Sequence, residues 1–179
     1  MRYTAGTSIL REPALPRLII RSSDIHAAGC FALADFPKGA RLLEYTGERI
    51  SKAEGDVRYE GRSLTYLFGI GDGEVVIDGH GMSMFVNHSC DPNCEIEETD
   101  GRVFIDALRA IAAGEELTYD YWLYDGDADD HALCACGSKS CRGSMYSPGE
   151  LRKRRRSAAK LNKQTELAKK NGGRSAKPR

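Results

Sequence analysis

The chain has 179 residues, and its 26 basic and 26 acidic side chains cancel to a formal charge of zero. No apolar run approaches the ~18 residues of a membrane span, so no membrane partner is expected. Residues 1–10 lack the charged start, apolar centre and small-residue cleavage site of a secretory signal. The six cysteines are therefore expected to bind metal or stay as thiols, not to form a disulfide framework.

In chain order, residues 1–16 carry Pro13 and Pro16 without a clear period and read as a leader. Segments 18–21 and 30–34 read as short strands, Phe36-Pro37-Lys38-Gly39 as a turn, and 41–46 as a third strand. Ser51 and Glu54 have capping-box spacing, which predicts a short helix from Ser51 to about Gly61. Segments 64–70, 75–78, 95–98 and 102–107 read as strands, with Gly71-Asp72-Gly73 and Asp100-Gly101 as tight turns between them. Gly47 and Gly114 read as turn glycines. Many short strands and few helices predict a β-rich body.

The neutrality is uneven. Residues 150–179 hold 12 Lys and Arg against Glu150 and Glu166, a net +10, leaving 14 basic and 24 acidic residues, a net −10, in the first 149. An acidic body attracts basic peptides; a basic tail favours nucleic acid, anionic partners or the body itself. This tail is too charged to build a core and is expected to be disordered, apart from a short helix near 151–167. Without interleaved aromatics, any nucleic-acid contact it makes should be indifferent to sequence.

Cys134, Cys136 and Cys141 fall within eight positions, with Gly137 allowing a sharp turn. Three such sulfurs can converge on one zinc ion, and a structural site needs a fourth ligand. Cys30, Cys90, Cys94 and His131 are the candidates.

Asn87-His88-Ser89-Cys90-Asp91-Pro92-Asn93 resembles the N-H-S-C-x-P-N signature of SET domains. Gly114-Glu115-Glu116-Leu117-Thr118-Tyr119-Asp120-Tyr121 resembles their G-E-E-L-T-[FY]-D-Y segment, and Glu44-Tyr45-Thr46-Gly47-Glu48 their E-Y-x-G-E stretch. Ile25-His26-Ala27-Ala28-Gly29-Cys30-Phe31-Ala32 is similar to I-H-G-x-G-x-F-A, and Cys134 to Gly143 to the post-SET pattern C-x-C-x4-C-R-G. The five motifs stand in the family's order over residues 18–146. The resemblance is to SET-domain protein lysine methyltransferases with a post-SET zinc cluster.

This resemblance implies a mainly β fold with short helices: the SET-domain, β-clip-like arrangement of small curved sheets with knot-like C-terminal threading. It divides the chain into a leader (1–16), a SET domain (17–126), a post-SET zinc element (127–149) and the basic tail (150–179). It places residues 87–90 beside 119–121 and makes Cys90 the fourth zinc ligand with Cys134, Cys136 and Cys141. It implies S-adenosylmethionine as methyl donor, with Tyr121 beside the methyl group and Tyr45 and Tyr119 lining a lysine channel. Tyr66, Asn87, His88 and the loop of His26, Ala28 and Gly29 are the implied cofactor contacts. Two positions depart from the pattern: Ala27 replaces the first glycine of G-x-G, and Met84 stands where R-F-x-N-H-S has arginine.

The implied activity is methylation of lysines in a basic protein such as a histone or nucleoid protein. Mainly one methyl is expected, because Tyr119, not phenylalanine, sits two residues before Tyr121. The competing reading is a catalytically weak or dead SET fold serving as a zinc-stapled module for basic proteins or nucleic acid. A monomer acting inside the cell is expected, in cytoplasm or nucleoid if bacterial, in the nucleus if eukaryotic. Lys163-Gln164-Thr165 with the run from Lys169 to Arg179 also resembles a core-histone tail, which makes the tail a candidate internal ligand or substrate.

Overall fold

A computed structural model describes residues 17–62, 64–126 and 130–172, with side chains described through Lys169. β1 (Leu18–Ser22) and β2 (Ala28–Ala32) form an antiparallel pair. The main sheet is antiparallel, in the order β4 (Leu67–Ile70), β5 (Val75–His80), β3 (Arg41–Ser51), β8 (Arg102–Ala107), β7 (Cys94–Thr99). β3 is longer than its sequence pattern predicts because it serves two partners. Its start pairs with β8 and its second half, Thr46 to Ser51, pairs with β5. The third sheet consists of two short parallel strands, β6 (Asn87–His88) and β9 (Thr118–Tyr119).

The local chemistry explains most of these elements. β7 and β8 are joined at Asp100 and Gly101, both at positive φ (52° and 67°), as a tight two-residue hairpin turn requires. Ser51 caps helix α1 (Lys52–Tyr59) by accepting the Glu54 amide at 3.2 Å. Fully buried Val103, Ile105, Ala107, Val86, Ile111 and Leu117 form the centre of the core, with Cys30 and Cys94 among them. Gly47 is not a turn glycine. It lies within β3 opposite Gly79, where an added Cβ would come within 2.0 Å of the Asp78 carbonyl oxygen.

The expected disordered tail with a short helix is replaced by one long helix, α2 (Pro148–Gly172). The reason lies just before it: the Ser147 hydroxyl accepts the Glu150 amide at 3.2 Å, and Pro148 supplies a preset first residue. Ala158, Ala159, Leu161, Gln164, Leu167 and Ala168 then favour helix. Arg154 ties its base down, lying 3.9 Å from the Tyr146 ring centroid and donating to the carbonyls of Asp130 and Gly126 at 2.9 and 2.8 Å. Lys163-Gln164-Thr165 is therefore helical, whereas the run's end at 173–179 lies outside the described residues, as does the leader. Among the described residues, no helix is long and apolar enough to cross a membrane.

Candidate active site and metal centre

The β6–β9 pair sets the site's geometry. Its register places Asn87 beside Thr118 and His88 beside Tyr119, joining two motifs about 30 residues apart in the chain. Asn87 is buried, and its side-chain amide donates to the Glu116 carboxylate at 2.7 Å and to the Ala28 carbonyl at 2.9 Å. The Ser23 hydroxyl donates to the same carboxylate at 2.8 Å and accepts the Ile25 amide at 3.0 Å. The loop carrying His26, Ala28 and Gly29 is thus fastened to the end of β6. Gly29 is required there for space, since a Cβ would sit 2.2 Å from a Glu116 oxygen. Ala27, the departure from the family pattern, adopts φ 33° and so keeps the left-handed turn that glycine would take freely. His26 has an exposed side chain, and its backbone amide lies 3.4 Å from the Ser23 hydroxyl. Motif reading missed Ser23 and Glu116 as partners of this cradle, although Glu116 stands inside the G-E-E-L-T stretch.

His88 is buried with both ring nitrogens occupied. Nδ1 accepts the Tyr121 amide at 3.1 Å, and Nε2 lies 3.4 Å from Cys90 Sγ. Nδ1 as acceptor leaves the proton on Nε2, pointing at the sulfur. Burial pushes the imidazole down to about 4, so the ring is neutral. Its polar side-chain atoms serve the protein.

Aromatic rings form the neighbouring wall. The Tyr119 and Tyr121 ring centroids are 4.8 Å apart, and Phe68 sits 5.2 Å from Tyr45 and 6.4 Å from Tyr119. The Tyr45 hydroxyl donates to the Tyr66 carbonyl at 2.8 Å, and the Tyr121 hydroxyl to the Val86 carbonyl at 3.1 Å. The Tyr119 hydroxyl makes no hydrogen bond among the described residues. Burial pushes the Tyr121 phenol up to about 12 and holds Tyr45 and Tyr119 well above the usual tyrosine range. The wall is uncharged. Phe68 was legible only as a strand residue. Gly79 lies flush on Tyr45, where a Cβ would come within 2.6 Å of the ring.

The four predicted metal-binding cysteines converge. The sulfurs of Cys90, Cys134, Cys136 and Cys141 all lie within 4.8 Å of one another, with Cys90 and Cys134 at 3.7 Å. Four thiolates about 2.3 Å from a tetrahedral zinc ion would be about 3.8 Å apart, so the set fits one ion. Backbone amides of Cys136, Arg142 and Gly143 point at the sulfurs of Cys134, Cys90 and Cys141 at 3.4 Å each. The other fourth-ligand candidates are placed elsewhere. Cys30 and Cys94 are core thiols pushed up to about 12 by burial, and His131 is not among the converging ligands, its carbonyl accepting the Ser144 hydroxyl. Arg142, beside Cys141, forms a bidentate pair with Asp120 at 2.7 Å on both branches. It clasps the cysteine element to the residue before Tyr121.

The profile of the SET domain matches residues 27–122, more than half of the chain. The chain belongs to the SET-domain family. It is 40% identical over 149 residues to an H3 lysine-4 specific histone-lysine N-methyltransferase of Emericella nidulans, covering 76% of this chain and 12% of that one. Its identity to the protein of the same description in Saccharomyces cerevisiae is 39%, covering 76% and 14%. The chain thus spans about one eighth of the length of these relatives. Among solved structures, this SET domain resembles KRYPTONITE in complex with mCHG DNA and SAH, with TM-score 0.61, 27% identity, and coverage of 72% of this chain and 29% of that one. That likeness bears out the SET-domain fold.

Proposed function

We propose that this SET domain transfers methyl groups from S-adenosylmethionine to lysine side chains of a basic, histone-like protein, mainly one methyl per lysine. The observation that carries the reading is the β6–β9 pair, which seats the Asn87–Glu116–Ala28 cradle beside the tyrosine wall. The relatives' printed activity and the SAH in the structural neighbour support the same assignment. A histone substrate would set the protein to work in a nucleus, and the relatives lend the bacterial alternative no support.

The cofactor would supply an electrophilic methyl on a sulfonium. Asn87, His88, the His26, Ala28 and Gly29 loop, and Tyr66 would hold it through backbone and side-chain polar groups. Free lysine titrates near 10.4 and must reach the methyl as a neutral amine. A channel of uncharged aromatics penalises the ammonium and lowers that pKa. Tyr45 and Tyr119 would line this channel, with Tyr121 at its inner end, and alignment of the amine supplies much of the acceleration. The −10 body draws basic peptides toward it. Cys90, Cys134, Cys136 and Cys141 would hold zinc and brace the channel through Arg142 and Asp120.

Product number turns on Tyr119. Its hydroxyl, free among the described residues, can bond the amine or hold a water beside it, in space a methylated amine needs. In Tyr119→Phe the main product should shift to di- or trimethyllysine, with the first transfer nearly intact. In Tyr121→Phe every step should slow about 10- to 100-fold, because the ring loses the Val86 hydrogen bond that fixes it and leaves that carbonyl unpaired. Mass spectrometry of a basic peptide at matched turnover decides it. Trimethyllysine from the wild type would move control of channel width to Tyr45 and Tyr66, and no bound cofactor would favour the catalytically dead module.

The pH dependence has a defined sign. Because the Tyr121 phenol stays protonated up to about 12, kcat/KM should rise from pH 7 to 10 as substrate amine is freed, without a falling limb from Tyr121. A falling limb below pH 10 that Tyr121→Phe abolishes would contradict this account.

A further inference from the structure

The lysine-methyltransferase reading leaves α2 without a task. Its base meets the body through Arg154 and half-buried Leu151, with Arg155 and Ala158 edging the same groove, and every residue from 155 to 169 is exposed. The exposed helix is not uniformly charged. At 3.6 residues per turn, Arg152, Lys153, Arg156, Lys160 and Lys163 fall within a stripe about 100° wide. The stripe is about 16 Å long at 1.5 Å per residue. Lys153 pairs with Glu150 at 3.1 Å; the other four make no ion pair among the described residues. The helix's two acidic residues, Glu150 and Glu166, lie off the stripe, as does exposed Leu161. Like charges spaced three and four residues apart destabilise a helix, so this stripe calls for a polyanion to relieve it.

We propose that this stripe binds the phosphate backbone of duplex nucleic acid, independently of base sequence. A helix 10–12 Å across can lie along the backbone or enter the ~12 Å major groove. Arg152 and Arg156 offer planar forks that suit phosphate, and Lys160 and Lys163 add point charges. The stripe has no aromatic to stack on single-stranded bases and, up to Lys163, no apolar anchor for a protein partner. The acidic body would repel phosphate, whereas every residue of the stripe is exposed on α2. Such binding would keep the domain on a nucleic-acid surface while its channel remains free for a protein lysine.

The test uses the full chain and a labelled 20-base-pair duplex of mixed sequence, with binding read by fluorescence anisotropy at 50, 100 and 200 mM salt. With four to five phosphates engaged, log K should fall with log salt at a slope of about −4, a loss of about 250-fold across that range. Arg152→Gln, Arg156→Gln, Lys160→Gln and Lys163→Gln together should bring the slope to −1 or shallower and weaken binding at least 30-fold at 50 mM. Glutamine favours helix, so circular dichroism should show unchanged helical content. Arg155→Gln with Lys169→Gln, off the stripe, should change affinity less than threefold. The proposal is overturned by a wild-type slope shallower than −2, by equal loss in the two variants, or by preference for a single strand. Stripe-dependent binding to polyglutamate but not to duplex would also overturn it and assign the surface to an acidic protein.

Discussion

The tyrosine wall and the cysteine element are close neighbours assembled in opposite ways. Around Tyr121 the chain supplies all the order: rings pack at 4.8 to 6.4 Å, two hydroxyls end on backbone carbonyls, and strands of the main sheet and of the β6–β9 pair stand behind them. Around Cys134 the chain supplies little. Turns, half-buried cysteines and isolated bridges make up residues 130–143, with Leu133 76% exposed, and buried Tyr146 and the Arg142–Asp120 pair anchor the element. One region is determined by packing. The other has four sulfur donors in place for an ion that would bind it together.

Taking the ion away should separate the two most sharply. Cys136→Ser, or a strong chelator, should lower zinc from about one per chain to none and abolish methyl transfer, with limited proteolysis opening residues 130–147. The sheet body should stay folded by circular dichroism. In zinc-finger peptides such an ion contributes roughly 10–16 kcal/mol, more than this element's few contacts can replace. Full zinc content in Cys90→Ser would show that the fourth ligand lies elsewhere.

A smaller effect tests the packed side. Gly79→Ala places a methyl against the Tyr45 ring and should cost about 1–3 kcal/mol, lowering Tm by several degrees. Because Tyr45 would line the channel, kcat/KM should fall as well, with zinc content unchanged. Equal melting and equal kinetics would mean that the ring can move away freely.

The smallest effect lies at the cradle's edge. Ala27→Gly releases a left-handed residue worth about 1–2 kcal/mol, offset in part by the 0.5–1 kcal/mol that glycine's unfolded freedom costs. A net gain of about 0.5 kcal/mol is expected, a Tm rise of 1–2 °C. A fall in Tm would mean that the Ala27 methyl makes a contact that outweighs the strain.

The two regions also differ in how far the sequence revealed them. The cysteine spacing was legible because metal ligands follow short-range rules. The spacing alone left the fourth ligand open, and only the resemblance singled out Cys90 from Cys30, Cys94 and His131. Hairpins with tight turns, such as the one at Asp100-Gly101, were equally readable. The two-residue strands β6 and β9 have no period of their own, so only the family pattern brought them together. Glu116, Ser23 and Arg142 act through partners 20 or more positions away, which no local pattern encodes. Gly47 was misread because its requirement is a backbone approach across strands, invisible from its neighbours. The tail was misjudged by weighing charge over the cap at Ser147 and the alanines that follow.

The β6–β9 pair has a consequence for how the molecule comes into being. Its two rungs join positions about 30 residues apart, and so short a ladder cannot repay the entropy of closing that loop. Hairpins such as β7–β8 close locally and can form early, whereas this contact must wait until the sheets on either side are in place. During synthesis the chain could own most of its β-structure and still have no cradle for a ligand. The cradle would form abruptly once Thr118 to Tyr121 leave the ribosome and dock, and the cysteine element that follows would complete the site, making it among the last parts of the molecule to exist.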